Sequence, residues 1–518
     1  MSGTCLFGKH SSRRVTMPVC SIRGISHNQT DSDTNMCRLP SEQGVRVMLG
    51  SAVPEDVTVA RIQPLQSLRP QRIYQVHLSD NTSLRLVLPP ISMWRPLRSE
   101  QASVATEVTA IDWLHQVLTR QSSSATPSSS RSARRGSEET SKQQNEDSKT
   151  LLRLLPSLVQ HGQDTSTALR ELFAFYEPSQ GTAIALLEPK ITVDPNSPER
   201  QQVDFEIGTF YRRFLIQPGL VSPTGRFGPL AAVIPLLQSS QPQRAQPGAG
   251  GLFGMGGAAS WSVAFHSMLE GVLRDGEDMA VVLGYSTIRR HFRRLGYLLD
   301  DVTVPKFVVV DVAQDSNLLV ERIPDGGDRG IRIAGLQSWS NCVFGDPLFA
   351  TVFSDPADLP PPPPSDSFLR GLNSTASATS PPPPATSAST MTATSNYLST
   401  LNPQLIEALP SAPVRLLFYR IYHILTRIVA EFYRPRPDST TRELEARRKL
   451  NVVLAKLAEI PDDFLCPPET HYSSLPATPN SSTSTKSLSK REYSVARPTG
   501  EMSPAKRMRE LEMPIPKK

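Results

Sequence analysis

The sequence predicts an α+β chain of two lobes: a small antiparallel-sheet lobe, then a mostly helical one, with disordered inserts and tails. Three observations carry that prediction. Residues 72–88 alternate apolar and polar side chains around Ser79-Asp80-Asn81, the pattern of a half-buried hairpin. Residues 261–299 and 414–457 repeat their apolar side chains at helical spacing instead. Between them, residues 305–348 break into short β-branched and aliphatic runs set off by Gly and Asp, which read as buried strands and turns.

A chain of 518 residues allows roughly three domains at about 150 residues each. Low complexity removes part of that length. The 47 prolines, 6% aromatic content and long Ser/Thr/Pro tracts leave sequence for one bilobal body. The expected division is a disordered basic start over 1–55, a sheet lobe over 56–190 with a disordered insert at 121–149, a helical lobe over 191–460, and a disordered tail over 466–518. The helical lobe carries a Gly/Pro-rich loop at 236–258 and a Pro/Ser/Thr insert at 355–400. The net charge of +6 is spread along the chain and calls for no specific nucleic-acid partner. Cys5, Cys20, Cys37, Cys342 and Cys466 lie apart, without a C-x-x-C pair or a His at metal spacing, as in a reducing compartment. With no run of about 18 apolar residues, no membrane partner is expected. Arg13, Arg14 and Arg23 precede the first acidic residue, Asp31, without an amphipathic helix, so a disordered basic start is favoured over a mitochondrial presequence.

In the first lobe, Arg72–Leu78 and Leu84–Leu88 supply the hairpin, and the second strand runs into Pro89-Pro90. Arg85 on that strand reads by default as solvated. A helix follows, with Val104, Val108, Ile111, Leu114 and Leu118 at helical spacing, and it presents Glu107, which reads by default as a surface residue. Residues 121–149 hold Ser, Arg, Gln and Glu with almost no apolar content, hence the disordered insert. Arg134-Arg135-Gly136-Ser137 within it matches a basophilic phosphorylation site. Leu172–Tyr176 and Ala183–Leu187 read as a second hairpin.

In the second lobe, Asp204–Leu215 reads as an amphipathic helix. The run GAGGLFGMGG at 248–257 has no strand before it and no Lys-Ser/Thr after it, so it reads as a surface loop rather than a phosphate loop. Trp261, Phe265, Met268, Leu269 and Val272 anchor a core-facing helix that ends at Arg274-Asp275-Gly276-Glu277, and Ser286–Leu299 forms the next. The runs Phe307–Val310 and Leu318–Val320, the turn Asp325-Gly326-Gly327-Asp328 and the strand Ile331–Leu336 follow. Pro360–Pro364 and Pro381–Pro384 read as polyproline or coil around Phe368–Leu372. Val414–Tyr433 and Arg442–Leu457 close the lobe, with Arg415, Arg420 and Arg427 as a solvated edge. In the tail, Thr478-Pro479 and Ser503-Pro504 suit proline-directed kinases, and the basic cluster at 504–509 suits nuclear import. A cytoplasmic location is expected, with the nucleus as the alternative and the mitochondrion behind it.

Asp311 follows directly on an apolar run, Asn317 lies six positions on, and Ile333-Ala334-Gly335-Leu336-Gln337-Ser338-Trp339 precedes Gly345-Asp346-Pro347. Upstream stand Trp261 and Phe265, the R-D-G-E sequence, and a basic helix ending Leu299-Asp300-Asp301-Val302-Thr303. This order resembles the aminoglycoside and choline phosphotransferases of the protein-kinase-like superfamily, in particular their fungal branch. The resemblance implies a bilobal protein-kinase-like fold acting on ATP and magnesium. Asp311 then falls on the position that accepts the substrate hydroxyl proton and Asn317 on a magnesium-binding one. Asp346 fixes its loop by accepting backbone hydrogen bonds, and Glu188-Pro189 is the hinge. Three features depart from the family. Ser338 stands where the second magnesium-binding Asp is expected, with Asp315, or else Asp346, as a substitute ligand, and the Asp311–Asn317 loop is one residue longer. The lysine that grips phosphate and pairs with the Glu107 position is replaced by Pro89, leaving Arg85 as a nearby cation. The expectation is a pseudokinase or impaired nucleotide- or ligand-binding protein, with a small molecule or a protein as partner. The alternatives are an active ATP-dependent kinase of a hydroxylated metabolite, and a non-enzymatic interaction protein working through its inserts and tail.

Overall fold

The computed structural model describes residues 39–65, 70–91, 95–123, 135–164, 171–187, 197–236, 256–323, 331–354, 364–374, 397–462 and 464. The hinge at Glu188-Pro189, the turn at 325–328 and the whole tail lie outside them, as does most of the Gly-rich run.

The described residues all belong to one compact unit. Within it, β1 (Val59–Pro64), β2 (Arg72–Leu78), β3 (Ser83–Leu88), β4 (Leu158–Gln163) and β5 (Leu172–Tyr176) make an antiparallel sheet in the order β1-β2-β3-β5-β4. Pairing Ile73 with Val87 and Tyr74 with Leu86 reproduces the expected hairpin. Because side chains alternate across a strand, Val76, Leu86 and Phe175 bury on one face, against helix α1 (Glu42–Leu49). Ile73, Val87 and Ala174 bury on the other, in the large core that includes helix α2 (Ser103–Ser123).

Three expectations change here. Residues 42–49, placed in the disordered start, form α1: Ser41 Oγ caps it by accepting from Gly44 N–H at 3.0 Å, and Val45, Met48 and Leu49 are buried. Residues 135–149, placed in the disordered insert, belong to α3 (Arg135–Leu154). Its low apolar content misled, because it docks partly through polar contacts: Ser148 Oγ donates to Gln217 Oε1 at 3.2 Å and Arg213 Nε to Asp147 Oδ1 at 3.2 Å, beside buried Leu151. The second hairpin does not form. Strand β5 pairs with β3 and β4, while Thr182–Ala183, β6, crosses to Leu319–Val320 in the helical lobe.

The helical lobe is built on α4 (Pro198–Ile216), α5 (Trp261–Asp278), α6 (Tyr285–Leu295), α7 (Asp366–Asn373), α8 (Ala412–Tyr433) and α9 (Ser439–Glu459). Helix α5 runs through Arg274–Glu277 rather than turning there, with Gly276 buried beside Tyr285 and Val429. Helix α7 lies within the expected Pro/Ser/Thr insert because Phe368 and Leu372 are buried against α4. The two helices approach backbone to backbone at reciprocal glycines: a Cβ on Gly208 would overlap the Phe368 carbonyl, and one on Gly371 that of Phe205.

Two small sheets connect these helices to the lobe above. Strand β8 (Lys306–Val309) pairs with β11 (Cys342–Gly345), itself beside β7 (Gly228–Pro229), and β9 (Leu318–Arg322) pairs with β10 (Ile331–Leu336). Gly335 sits at a bulge in β10, with φ +154° and the Leu154 carbonyl 2.9 Å from where a Cβ would stand. Beyond β11, Asp346 Oδ1 accepts from Leu348 N–H at 3.0 Å, as expected of Gly-Asp-Pro. Its Oδ2 accepts from Tyr419 Oη at 2.7 Å and pairs with Arg415. Both members of that pair are 0% exposed, so Arg415 belongs to the core rather than to a solvated edge. The helical stripe identified its neighbours correctly, but a charge on an apolar face is legible only with its partner in place.

Candidate functional site

Strand β8 carries the chain into Asp311, and the loop to Asn317 is held at several points. Gln314 N–H bonds the Asp311 carbonyl at 3.1 Å and Ala185 N–H the Asp315 carbonyl at 2.9 Å. Arg200, on α4, clamps the Asp315 carboxylate at 2.9 and 3.0 Å and holds Asp204 at 2.9 Å. Burial alone would lower the Arg200 pKa, but the two carboxylates outweigh it and leave it raised. Anchored this way, the longer loop still brings its ends together: Asn317 Nδ2 donates to Asp311 Oδ1 at 3.1 Å. Asp315 itself is turned to Arg200, which removes it as a substitute metal ligand.

The bulged end of β10 then delivers Ser338 to the same place. Asn317 Oδ1 accepts from Ser338 N–H at 2.9 Å and its Nδ2 also faces the Ser338 carbonyl at 3.2 Å. The serine hydroxyl points the other way, donating to Glu107 Oε2 at 2.8 Å, with Ser340 Oγ at 2.9 Å behind it. Gln71, just ahead of β2, donates to the same Glu107 oxygen at 3.3 Å. Glu107 is therefore not a surface residue: it is 1% exposed and joins α2 to the loop after β10.

Arg85 also enters this cluster. At 4% exposure it is not a solvated strand residue: its guanidinium carbon lies 5.0 Å from the centre of the Tyr176 ring and Nη1 donates to the Gln337 carbonyl at 3.3 Å. Alternation places Arg85 on the face that meets α2, where neighbouring Val87 is also buried. Burial, then the Glu107 charge, pushes the Tyr176 hydroxyl well above the usual tyrosine pKa, with Arg85 pulling it down less strongly. The structure thus assembles Asp311, Asn317, Ser338, Glu107 and Arg85 and turns Asp315 away. Sequence reasoning missed Gln71, Tyr176 and Asn341. None belongs to a motif, and only the polar position ahead of a hairpin strand hinted at Gln71.

Magnesium does not fit these residues. A divalent ion of that kind takes oxygen ligands carrying charge. The Asn317 side-chain oxygen is engaged by a backbone N–H, and the Ser338 hydroxyl is committed to Glu107. Asp311 accepts from Asn317 on one oxygen and from Asn341 Nδ2 at 3.3 Å on the other. Among the described residues, no group of three His, Cys, Asp or Glu side chains is placed to hold a metal ion. Beside the cluster opens a cavity of about 780 Å³, walled by Gln71 above and by Asp315, Ser340, Asn341, Phe368 and Tyr422 below. Asn341 lines this cavity and bonds Asp311, so the carboxylate meets the cavity through an amide.

No protein-family model matches the sequence, and no curated protein matches it. Among solved structures, the chain is similar to the apo form of a thermostable mutant of aminoglycoside phosphotransferase APH(4)-Ia, with 13% identity, TM-score 0.42, and coverage of 81% of this chain and 100% of that one. It is similar to the GDP complex of wild-type aminoglycoside 2'-phosphotransferase-IIIa, with 11% identity, TM-score 0.40, and coverage of 80% and 99%. It is also similar to a protein of Thermobifida fusca designated a fructosamine-3-kinase, with 13% identity, TM-score 0.37, and coverage of 76% and 94%. These are loose likenesses of outline, and they assign no ligand to this chain.

Proposed function

We propose that this chain is a phosphotransferase-like protein that binds a small polar ligand between its lobes and does not carry out magnesium-dependent phosphoryl transfer. The observation that carries the reading is the 2.8 Å hydrogen bond from Ser338 Oγ to Glu107. In the family the sequence resembles, these two positions hold a metal-binding carboxylate and the partner of a phosphate-gripping lysine. Here they bond to each other and to Gln71, 1%, 1% and 4% exposed respectively, which leaves neither position free for a metal or a lysine. Phosphoryl transfer depends on charges already in place around the transferred group, and losing one such partner costs about 3–4 kcal/mol at the transition state. Lysine and carboxylate are both missing.

One contact favours the second reading, an active kinase of a hydroxylated metabolite: Asn317 still orients Asp311 at 3.1 Å. Thermal unfolding with ATP, with and without magnesium, separates the two, because a ligand that binds the folded state raises its stability. The proposal predicts no magnesium-dependent rise. A rise of several degrees that needs magnesium supports the kinase instead.

A further inference from the structure

Arg85 keeps one edge of its guanidinium unused. Nη1 faces the Gln337 carbonyl, but Nε and Nη2 meet no acceptor although the residue is 4% exposed. These two nitrogens share an edge, and their N–H bonds run parallel at the spacing of two oxygens on one carboxylate or phosphate. The hydroxyl of Tyr176, whose ring centre lies 5.0 Å from the guanidinium carbon, is buried and also meets no acceptor. Its raised pKa keeps it a donor. Three donors thus stand together in a dry place where unmet donors are costly.

Access is also defined. Gln71 lines the interlobe cavity on one side and, on the other, bonds Glu107 and Ser338 within the cluster. It lies between the cavity and the Glu107 carboxylate, whose charge, like that of Arg85, acts on the Tyr176 hydroxyl. The bonds holding it are long, 3.3 Å to Glu107 and 3.4 Å to Ser338, and so weak enough to exchange.

We propose that the Nε–Nη2 edge of Arg85 seats a metal-free oxyanion, a carboxylate or phosphate borne by the ligand, admitted from the cavity when Gln71 swings off Glu107 and Ser338. This inference rests on the reading of a site without magnesium. It gives that site one arginine fork in place of a lysine and a metal. Glu107 lies close enough for its charge, like that of Arg85, to act on the Tyr176 hydroxyl, and its repulsion favours a singly charged carboxylate on the edge over a doubly charged phosphate.

The test is thermal unfolding and calorimetric titration of the full chain in EDTA, with sodium acetate and inorganic phosphate against sodium chloride at matched ionic strength. Acetate is expected to raise the unfolding temperature above the chloride control, and phosphate to do so less. A larger response to phosphate also supports the seat and names phosphate as the group. Arg85→Lys keeps the charge but lacks the fork, and should weaken the acetate response roughly tenfold or more. Gln71→Ala removes the gate and should strengthen it. Shifts no larger than with chloride in both the native chain and Gln71→Ala, or an undiminished response in Arg85→Lys, overturn the inference. Those results leave the metal-free reading standing, whereas a magnesium-dependent ATP shift removes that reading without touching the acetate result.

Discussion

Ser338→Ala is the substitution that weighs the cluster most directly. It deletes the hydroxyl that donates to Glu107 at 2.8 Å and that accepts from Ser340 N–H at 3.2 Å, and it leaves the methyl group in place. Glu107 is 1% exposed, so water does not readily replace the lost donor. A hydrogen bond to a charged group contributes about 1.5–3 kcal/mol, which puts the expected loss at about 2 kcal/mol. Glu107→Gln removes the charge from the other end of the same bond and should cost a similar amount. If the two side chains act through one bond, the double variant loses less than the sum, with a coupling on the order of 1.5 kcal/mol. Urea unfolding of the four proteins of this cycle reads the coupling. Additive losses, to within about 0.3 kcal/mol, mean that Ser338 and Glu107 do not share a bond in solution, and the account of the closed cluster fails.

Gly208→Ala should destabilise by about 1–3 kcal/mol, because its Cβ would meet the Phe368 carbonyl and push α7 off α4; an unchanged urea midpoint contradicts that packing. Arg415→Met strands the fully buried Asp346 and should cost roughly 3–5 kcal/mol, part of which Asp346→Asn restores in the double variant; a loss under about 1 kcal/mol shows the pair to be dispensable. Glu270 has its pKa lowered chiefly by the hydrogen bonds from Arg289, against the opposing effect of burial. A carboxyl with a depressed folded pKa stabilises above its unfolded pKa and loses that contribution as pH falls through the folded value. The stability gap between the native chain and Arg289→Met should therefore be widest near neutral pH and shrink in acid. A gap that widens on acidification reverses the assignment.

The sequence carried the elements whose pattern is local. The β2–β3 hairpin follows from alternation around Asp80-Asn81, and α5 and α8 from apolar side chains repeated on one face. The Asp311–Asn317 pair was also legible, because a motif fixes both its members. What stayed hidden depends on contacts between distant segments. Helix α3 holds through Asp147, Ser148 and Leu151, which meet α2 and α4 only once the chain has folded. Arg415 and Arg85 read as solvated because a lone arginine gives no sign of its partner, and here the partners lie 69 and 252 positions away. The second hairpin failed for the same reason: residues 182–183 find a better strand edge at β9 than the one beside β5. Gln71 came into view only with the fold, which sets a polar residue from outside any motif between a cavity and a buried carboxylate.

The central claim is that Ser338 and Glu107 bond to each other at the positions that would hold a divalent ion and grip its phosphates. Electron paramagnetic resonance of manganese with ATP, recorded as the native protein is added, tests it directly. The account predicts that the manganese–ATP spectrum stays as it is without protein. Stoichiometric loss of that signal, with release on adding excess magnesium, contradicts it.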